Sequence, residues 1–232
     1  VILYDQRGRG ASAAAPGPRQ SHVEFDAGDL PALRDALGIP RWDILGHSWG
    51  GGIATLAAAR DPLGVRRLVL VDAVGMTGDW IEGLHPAALA RLTGREQALL
   101  HALDPRLLHD DNPELHAEYS RALYPAWFVD RELGTAFGPP RETSVTGAAV
   151  AARLRREGYD WRADAARVAA TTLVVHGDGD LLPTRLATET AALIPRARAV
   201  VIPGAGHMPF YEQPSDFFAQ ALDFLKARDQ GG

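Results

Sequence analysis

Apolar positions along this chain fall into short continuous runs, separated by stretches of helical spacing and by polar, glycine-rich turns. Val1–Tyr4, Trp42–Leu45, Val65–Val71, Thr171–Val175 and Ala199–Ile202 are such runs, and Asp72 follows the third of them directly. Short runs of this kind predict strands covered on both faces of a sheet. A helix is expected over about 24–37, where Leu30, Leu33 and Leu37 recur at helical spacing and Gly38 ends it; Pro31 moves its expected start toward Asp29. Further helices are expected over 53–60, 184–193 and 214–227. Strands alternating with helices at this spacing predict a parallel sheet. The first run begins at residue 1 without an initiator Met, so the chain is expected to open inside its sheet, with its true start and any leader out of view.

The alternation stops near Gly75. Helical segments are expected near 86–92, 95–103, 113–123 and 143–157, with no strong strand between them. This predicts an α/β core over 1–75 and 165–232, interrupted by a helical cap over 76–164. Trp80, Tyr119, Tyr124, Trp127, Phe128 and Phe137 lie in the cap; some are candidates to line a pocket, and at least half are assigned to the cap's own small core.

Composition narrows the function classes. Apolar residues make up 46% of the chain and charged residues 23%, as in ordinary globular proteins. The net charge of −5 argues against nucleic acid as the main partner, because phosphate binding needs a basic surface. No apolar run approaches the ~20 residues of a membrane span. Cysteine is absent, which excludes disulfides and thiolate metal sites and leaves the compartment open; the cytoplasm is the expected location. The oligomeric state is not legible.

The densest chemical signal is Gly46-His47-Ser48-Trp49-Gly50, a G-x-S-x-G set between an expected strand and a small-residue helix. In that context the pattern is a nucleophile elbow, a turn so tight that the serine takes a strained backbone conformation and its Oγ stands clear of the sheet. A Cβ at Gly46 or Gly50 is expected to collide with the neighbouring strand or helix. The Trp49 N–H falls at a helix N-terminus, where it can receive developing negative charge as one oxyanion donor. A phosphate-cradling loop is the rival, but no Lys follows the glycines.

A serine hydroxyl needs a base to take its proton, and the base needs a carboxylate to hold its tautomer. His207 stands between glycine-rich turns after the last strand, and acids follow the Thr171–Val175 strand, so the groups fall at carboxyl ends of strands in the order Ser, Asp, His. Asp180 is the chosen acid because it lies far enough past its strand to reach a neighbouring loop; Asp72 and Asp178 remain the alternatives. His47 and His176 are assigned structural roles. A His176/His207 metal pair is set aside for want of a third ligand at metal-site spacing. Arg7 and Arg9 are read as loop charges that hold their turn.

Asp5-Gln6-Arg7-Gly8-Arg9-Gly10-Ala11-Ser12, Gly46-His47-Ser48-Trp49-Gly50-Gly51, His176-Gly177-Asp178-Gly179-Asp180 and Gly206-His207 together resemble the α/β-hydrolase fold family, and within it the proline iminopeptidase-like branch. The resemblance implies an α/β fold with a mostly parallel sheet, a Ser48–His207–Asp180 triad, and hydrolysis of a small amide, ester or short peptide without metal or cofactor. Carboxylesterases and carbon–carbon bond hydrolases share most of these signals, and a ligand-binding homologue is the non-enzymatic alternative. It also implies a second oxyanion donor from a loop after the family's third strand, which would precede Val1. In that layout an unfilled slot is expected beside Trp42–Leu45, leaving Val1–Tyr4 either standing apart or slid across to pair. Aminopeptidases of the branch hold the substrate's amino terminus with cap acids, for which Glu114, Glu118 and Glu142 are candidates.

Overall fold

Four parallel strands form the sheet of the computed structural model, which describes residues 1–14, 17, 21–107, 112–138 and 144–227. They are β1 (Trp42–His47), β2 (Val65–Val71), β3 (Thr171–Gly177) and β4 (Ala197–Ile202), paired in that order. The helices are α1 (Val23–Ala36) and α2 (Trp49–Arg60). Between β2 and β3 come α3 (Ile81–Leu89), α4 (Gly94–Leu107), α5 (Pro113–Leu123), α6 (Arg131–Phe137), α7 (Val145–Glu157) and the short α8 (Arg162–Ala165). α9 (Arg185–Leu193) joins β3 to β4, and α10 (Pro209–Glu212) and α11 (Pro214–Lys226) follow. Among the described residues no helix is long and apolar enough to cross a membrane.

The continuous apolar runs are explained by cover on both faces. Leu68 and Leu70 point into a cluster with Val23, Ala27 and Leu30 of α1 and Ile53, Leu56 and Ala57 of α2. Val69 and Val71, one residue out of step, point the other way with Leu173 and Val175 onto Phe217, Ala221 and Phe224 of α11. The register aligns His47 with Val71 and Val71 with Val175, so the strands release their chains along one edge. That alignment brings Ser48, Asp72, the 178–180 loop and the loop after β4 together.

Three expectations are corrected. α1 spans Val23–Ala36, as the helical spacing over 24–37 predicts, and Pro31 lies inside it without delaying its start to Asp29. Pro31 removes one helical hydrogen bond, at a cost of about 3 kcal/mol, but burial of Val23 and Leu30 contributes about 1.5–3 kcal/mol each and holds the first turns in place. α2 begins at Trp49, directly after the turn, not at Ile53. Val1–Tyr4 is no covered strand: it carries no pairing, and Val1 and Leu3 are exposed. It stands apart from β1 across a cavity of about 480 Å³, lined by Val1–Tyr4 on one side and Trp42–His47 on the other. Among the described residues no strand pairs with it, so its N–H and C=O groups join no ladder.

The glycines of the turn divide differently from expectation. A Cβ on Gly46 would lie 2.4 Å from the Gly50 carbonyl oxygen, and one on Gly51 2.4 Å from the Ala73 Cβ, whereas one on Gly50 would meet nothing within 4 Å. Gly46 and Gly51 are therefore the close approaches, and Gly50 faces open space. Gly46→Ala should lower stability by about 1–3 kcal/mol, as overpacking does, while Gly50→Ala leaves it unchanged or raises it by up to about 1 kcal/mol. Urea unfolding midpoints of the two variants check this.

Candidate active site

Ser48 sits at φ 54° and ψ −121°, a region that costs a non-glycine residue about 1–3 kcal/mol. The turn is held by backbone bonds: Ser48 N–H donates to Val71 O at 2.9 Å, and Ser48 O accepts from Gly51 N at 3.0 Å and Val74 N at 3.3 Å. The strain aims Oγ along the sheet edge. The Trp49 N–H is the first of α2 and has no acceptor within the helix.

The loop after β4 presents His207, which is buried. His207 N–H donates to Trp127 O at 2.8 Å, and His207 O accepts from His47 Nε2 at 2.7 Å. The Trp127 ring lies over the imidazole with centroids 4.2 Å apart. Glu212, itself buried, accepts from Gly206 N at 2.7 Å and from Val129 N at 2.8 Å, tying the histidine loop to the segment after α5. Asp180 is held from outside by Arg91, whose guanidinium donates to Gly179 O at 2.7 Å and Asp180 O at 2.8 Å. Its Oδ1 also accepts from Leu182 N at 3.1 Å.

These three groups form one chain. His207 Nδ1 lies 2.9 Å from Asp180 Oδ2 and 3.1 Å from Oδ1, and His207 Nε2 lies 2.8 Å from Ser48 Oγ. The carboxylate can only accept, so Nδ1 carries the proton and Nε2 is left to accept from the serine hydroxyl. Such a chain can activate a hydroxyl as nucleophile and return the proton to a leaving group. Of the competing acids, Asp178 turns away and accepts from Gly204 N at 2.7 Å, and Asp72 accepts from Gly177 N at 2.8 Å one layer behind Asp180.

Electrostatics around the chain are uneven. Burial alone would raise the Asp180 carboxyl, but the charge and hydrogen bond of His207, followed by His176, hold it below the ordinary range. Burial, reinforced by the Asp180 charge, pushes Asp72 well up. Burial, then the charge of His207, pulls His47 down to about 4. His176 is also lowered, first by burial; its Nε2 donates to Leu182 O at 3.0 Å.

A cavity of about 590 Å³ opens over Ser48 and His207. Trp80, Tyr119, Tyr124 and Trp127 line it together with Ile81, Leu123 and Leu182; Phe128 and Phe137 do not, and stack beside Tyr124 instead. Gln6, Arg7, Arg9 and Asp26 supply its polar end. Arg7 is paired to Asp29 at 2.5–2.6 Å, so it does hold its turn. Burial, then Asp29, pushes Asp26 up to about 6. Glu114 and Glu118 are exposed and do not line the cavity, and Glu142 lies outside the described residues. Glu212, Arg91 and the Trp127 carbonyl went unread in the sequence, since their contacts are made with or through main-chain atoms, which residue type does not reveal. Asp72, His176 and Asp180 place ligand-type atoms within 4.8 Å of one another, but Asp180 is engaged by His207 and His176 Nε2 by a carbonyl, a poor set for a metal ion.

The family profile described as alpha/beta hydrolase fold matches residues 1–214. The chain belongs to that family. Among alpha/beta hydrolases it is 32% identical over 235 residues to 2-hydroxymuconate semialdehyde hydrolase of Pseudomonas putida, spanning 99% of this chain and 78% of the relative. It is 27% identical over 254 residues to a proline iminopeptidase of Levilactobacillus brevis, spanning 99% and 80%. The crystal structure of the enol-lactonase from Burkholderia xenovorans LB400 superposes with a TM-score of 0.66 at 26% identity, covering 97% of this chain and 80% of that one.

The lowered His47 ties stability to pH. A His whose folded value lies near 4, against 6.5 when unfolded, stays neutral in the fold while the unfolded chain takes up a proton. Its contribution is complete above pH 6.5 and drains as pH falls toward 4, by on the order of 3 kcal/mol at most. His47→Gln should therefore flatten the slope of unfolding free energy between pH 6.5 and 4, measured by urea unfolding across a pH series. An unchanged slope would show that His47 is not held neutral.

Proposed function

We propose that this chain is a serine hydrolase working through an acyl-enzyme on Ser48. The observation that carries the reading is the unbroken hydrogen-bond chain from Asp180 through His207 to Ser48 Oγ. As Oγ attacks a substrate carbonyl, its proton passes to His207 Nε2, and Asp180 stabilises the imidazolium. The carbonyl oxygen gains negative charge beside the Trp49 N–H, at the positive end of α2. His207 then gives the proton to the leaving group, and water repeats the cycle to release the acyl group.

Residues 76–164 serve in this reading as a cap over the site, and the cavity they share with the core sets the substrate. Its walls are mostly aromatic and aliphatic, suited to a small acyl group, while Arg9 and Arg155 also line it and favour a carboxylate at the far end of the substrate. The similarity to a 2-hydroxymuconate semialdehyde hydrolase, whose named substrate carries a carboxylate, supports an anionic substrate. The second reading is a proline iminopeptidase-like aminopeptidase. Asp26 favours it, as a buried carboxylate on the cavity wall that an ammonium group would neutralise.

A fluorophosphonate probe should label Ser48 and fail on Ser48→Ala, with turnover reduced about 10⁴–10⁶-fold. Asp180→Asn should lower turnover far more than Asp178→Asn. Labelling at another serine, found by peptide mass mapping, overturns the mechanism. For the substrate, the p-nitrophenyl monoester of succinate should exceed p-nitrophenyl butyrate in kcat/KM by about tenfold or more, the worth of one charge-assisted hydrogen bond. Faster cleavage of prolyl naphthylamide, lost on N-acetylation, would move the assignment to the aminopeptidase.

A further inference from the structure

Behind Asp180 lies a closed group of polar atoms that the hydrolytic chemistry leaves unused. Asp72 follows β2 directly in a left-handed backbone conformation at φ 42°, which a non-glycine residue adopts only when its surroundings demand it. Its side chain is fully buried and turned toward the ends of the neighbouring strands. Oδ1 accepts from Gly177 N at 2.8 Å, and Oδ2 is buried without a hydrogen-bond partner. His176, also fully buried, faces it with Nδ1 3.7 Å from Asp72 Oδ1 and Nε2 3.6 Å from Asp180 Oδ2.

The count of donors in this group does not close. His176 Nε2 meets the Leu182 carbonyl at 3.0 Å, and a carbonyl only accepts, so Nε2 carries the ring's hydrogen. A neutral ring then presents Nδ1 as a bare acceptor, and Nδ1 has no partner. The Asp180 oxygens already accept from His207 and Leu182, and an ionised Asp72 would add a further acceptor beside them. Acceptor would face acceptor in a region closed to water, where an unsatisfied polar atom costs about 1–3 kcal/mol and an unpaired charge more. One proton on Asp72 supplies the donor that the cluster lacks.

We propose that Asp72 is carried as the neutral acid and is a positioning residue. Its proton stays on Asp72 and offers a donor toward the acceptors of His176 and Asp180, so that Asp180 faces His207 as the single negative charge of the cluster. The groups that bear on Asp72 favour this state. Asp180 lies ahead of it and Glu212 on α10 adds further negative charge, while His176 beside it is neutral and His207 is reached only through Asp180. Oxygens of the two carboxyl groups lie within 4.8 Å of each other, and two acids placed this close cannot both ionise cheaply. The proposal rests on the Ser48 mechanism for its meaning, but not for its test.

Infrared difference spectra of the intact protein against Asp72→Asn test it directly. The expected result is a protonated-carboxyl carbonyl band in the wild type that is absent from the variant. The same band should persist in Ser48→Ala, so the proton can be read even if the hydrolase mechanism is wrong. No such band means that Asp72 is ionised and overturns the proposal, as does a stoichiometric metal ion that leaves with Asp72→Asn. Turnover gives the second readout. Asp72→Leu, which keeps the branching of the side chain and loses the donor, should lower kcat roughly 10–100-fold with little change in KM. Asp72→Asn, which still donates, should recover most of that loss and keep the wild-type acid limb of the kcat/KM profile. A limb displaced downward by about 1–3 units in the Asn variant would instead report the removal of a negative charge.

Discussion

The close approach of β1 and α2 is the constraint on which the rest of the site depends. Where Gly46 meets the Gly50 carbonyl there is no room for a side chain, and the backbone must reverse within one residue. Ser48 takes up that reversal in its unusual backbone conformation, and the Val71 and Val74 bonds hold it there. Because the strands are parallel and in register, the same edge carries the ends of β2, β3 and β4. The turn therefore fixes where the hydroxyl stands, and the sheet determines what stands opposite it.

That edge holds a crowd of ionisable groups in little solvent, and most are kept uncharged or fully bonded. His47 spends its Nε2 hydrogen on the His207 carbonyl, and Glu212 has its oxygens occupied by backbone N–H groups. The field around the imidazole is then dominated by Asp180, whose both oxygens lie within 3.1 Å of Nδ1. Low local dielectric makes such a contact strong because so little else competes for it.

Much of this could be read from the chain, because the signals were local. The glycine-bracketed Ser48, the acid past a β-branched run and the histidine on a short glycine loop each carry their meaning within about six residues. Gly50 misled, since its role was taken from the pattern, whereas the contact belongs to Gly46 and Gly51. Val1–Tyr4 misled because an apolar run predicts burial only if something covers it. Pro31 misled because packing of Val23 and Leu30 outweighs a lost hydrogen bond. Arg91 and Glu212 were out of reach altogether, as their partners are main-chain atoms, which leave no trace in residue type.

Arg91 and Trp127 belong to the helical stretch between β2 and β3, yet their bonds end on the acid loop and on the histidine. Arg91 grips the carbonyls of Gly179 and Asp180, and the Trp127 carbonyl holds the His207 amide. The same stretch walls the cavity above Ser48. The mouth of the cavity and the alignment of the proton relay are thus mechanically one variable. A swing of the stretch wide enough to break those bonds would slacken both partners of the serine at once, so solvent admitted through the gap would meet a disengaged base.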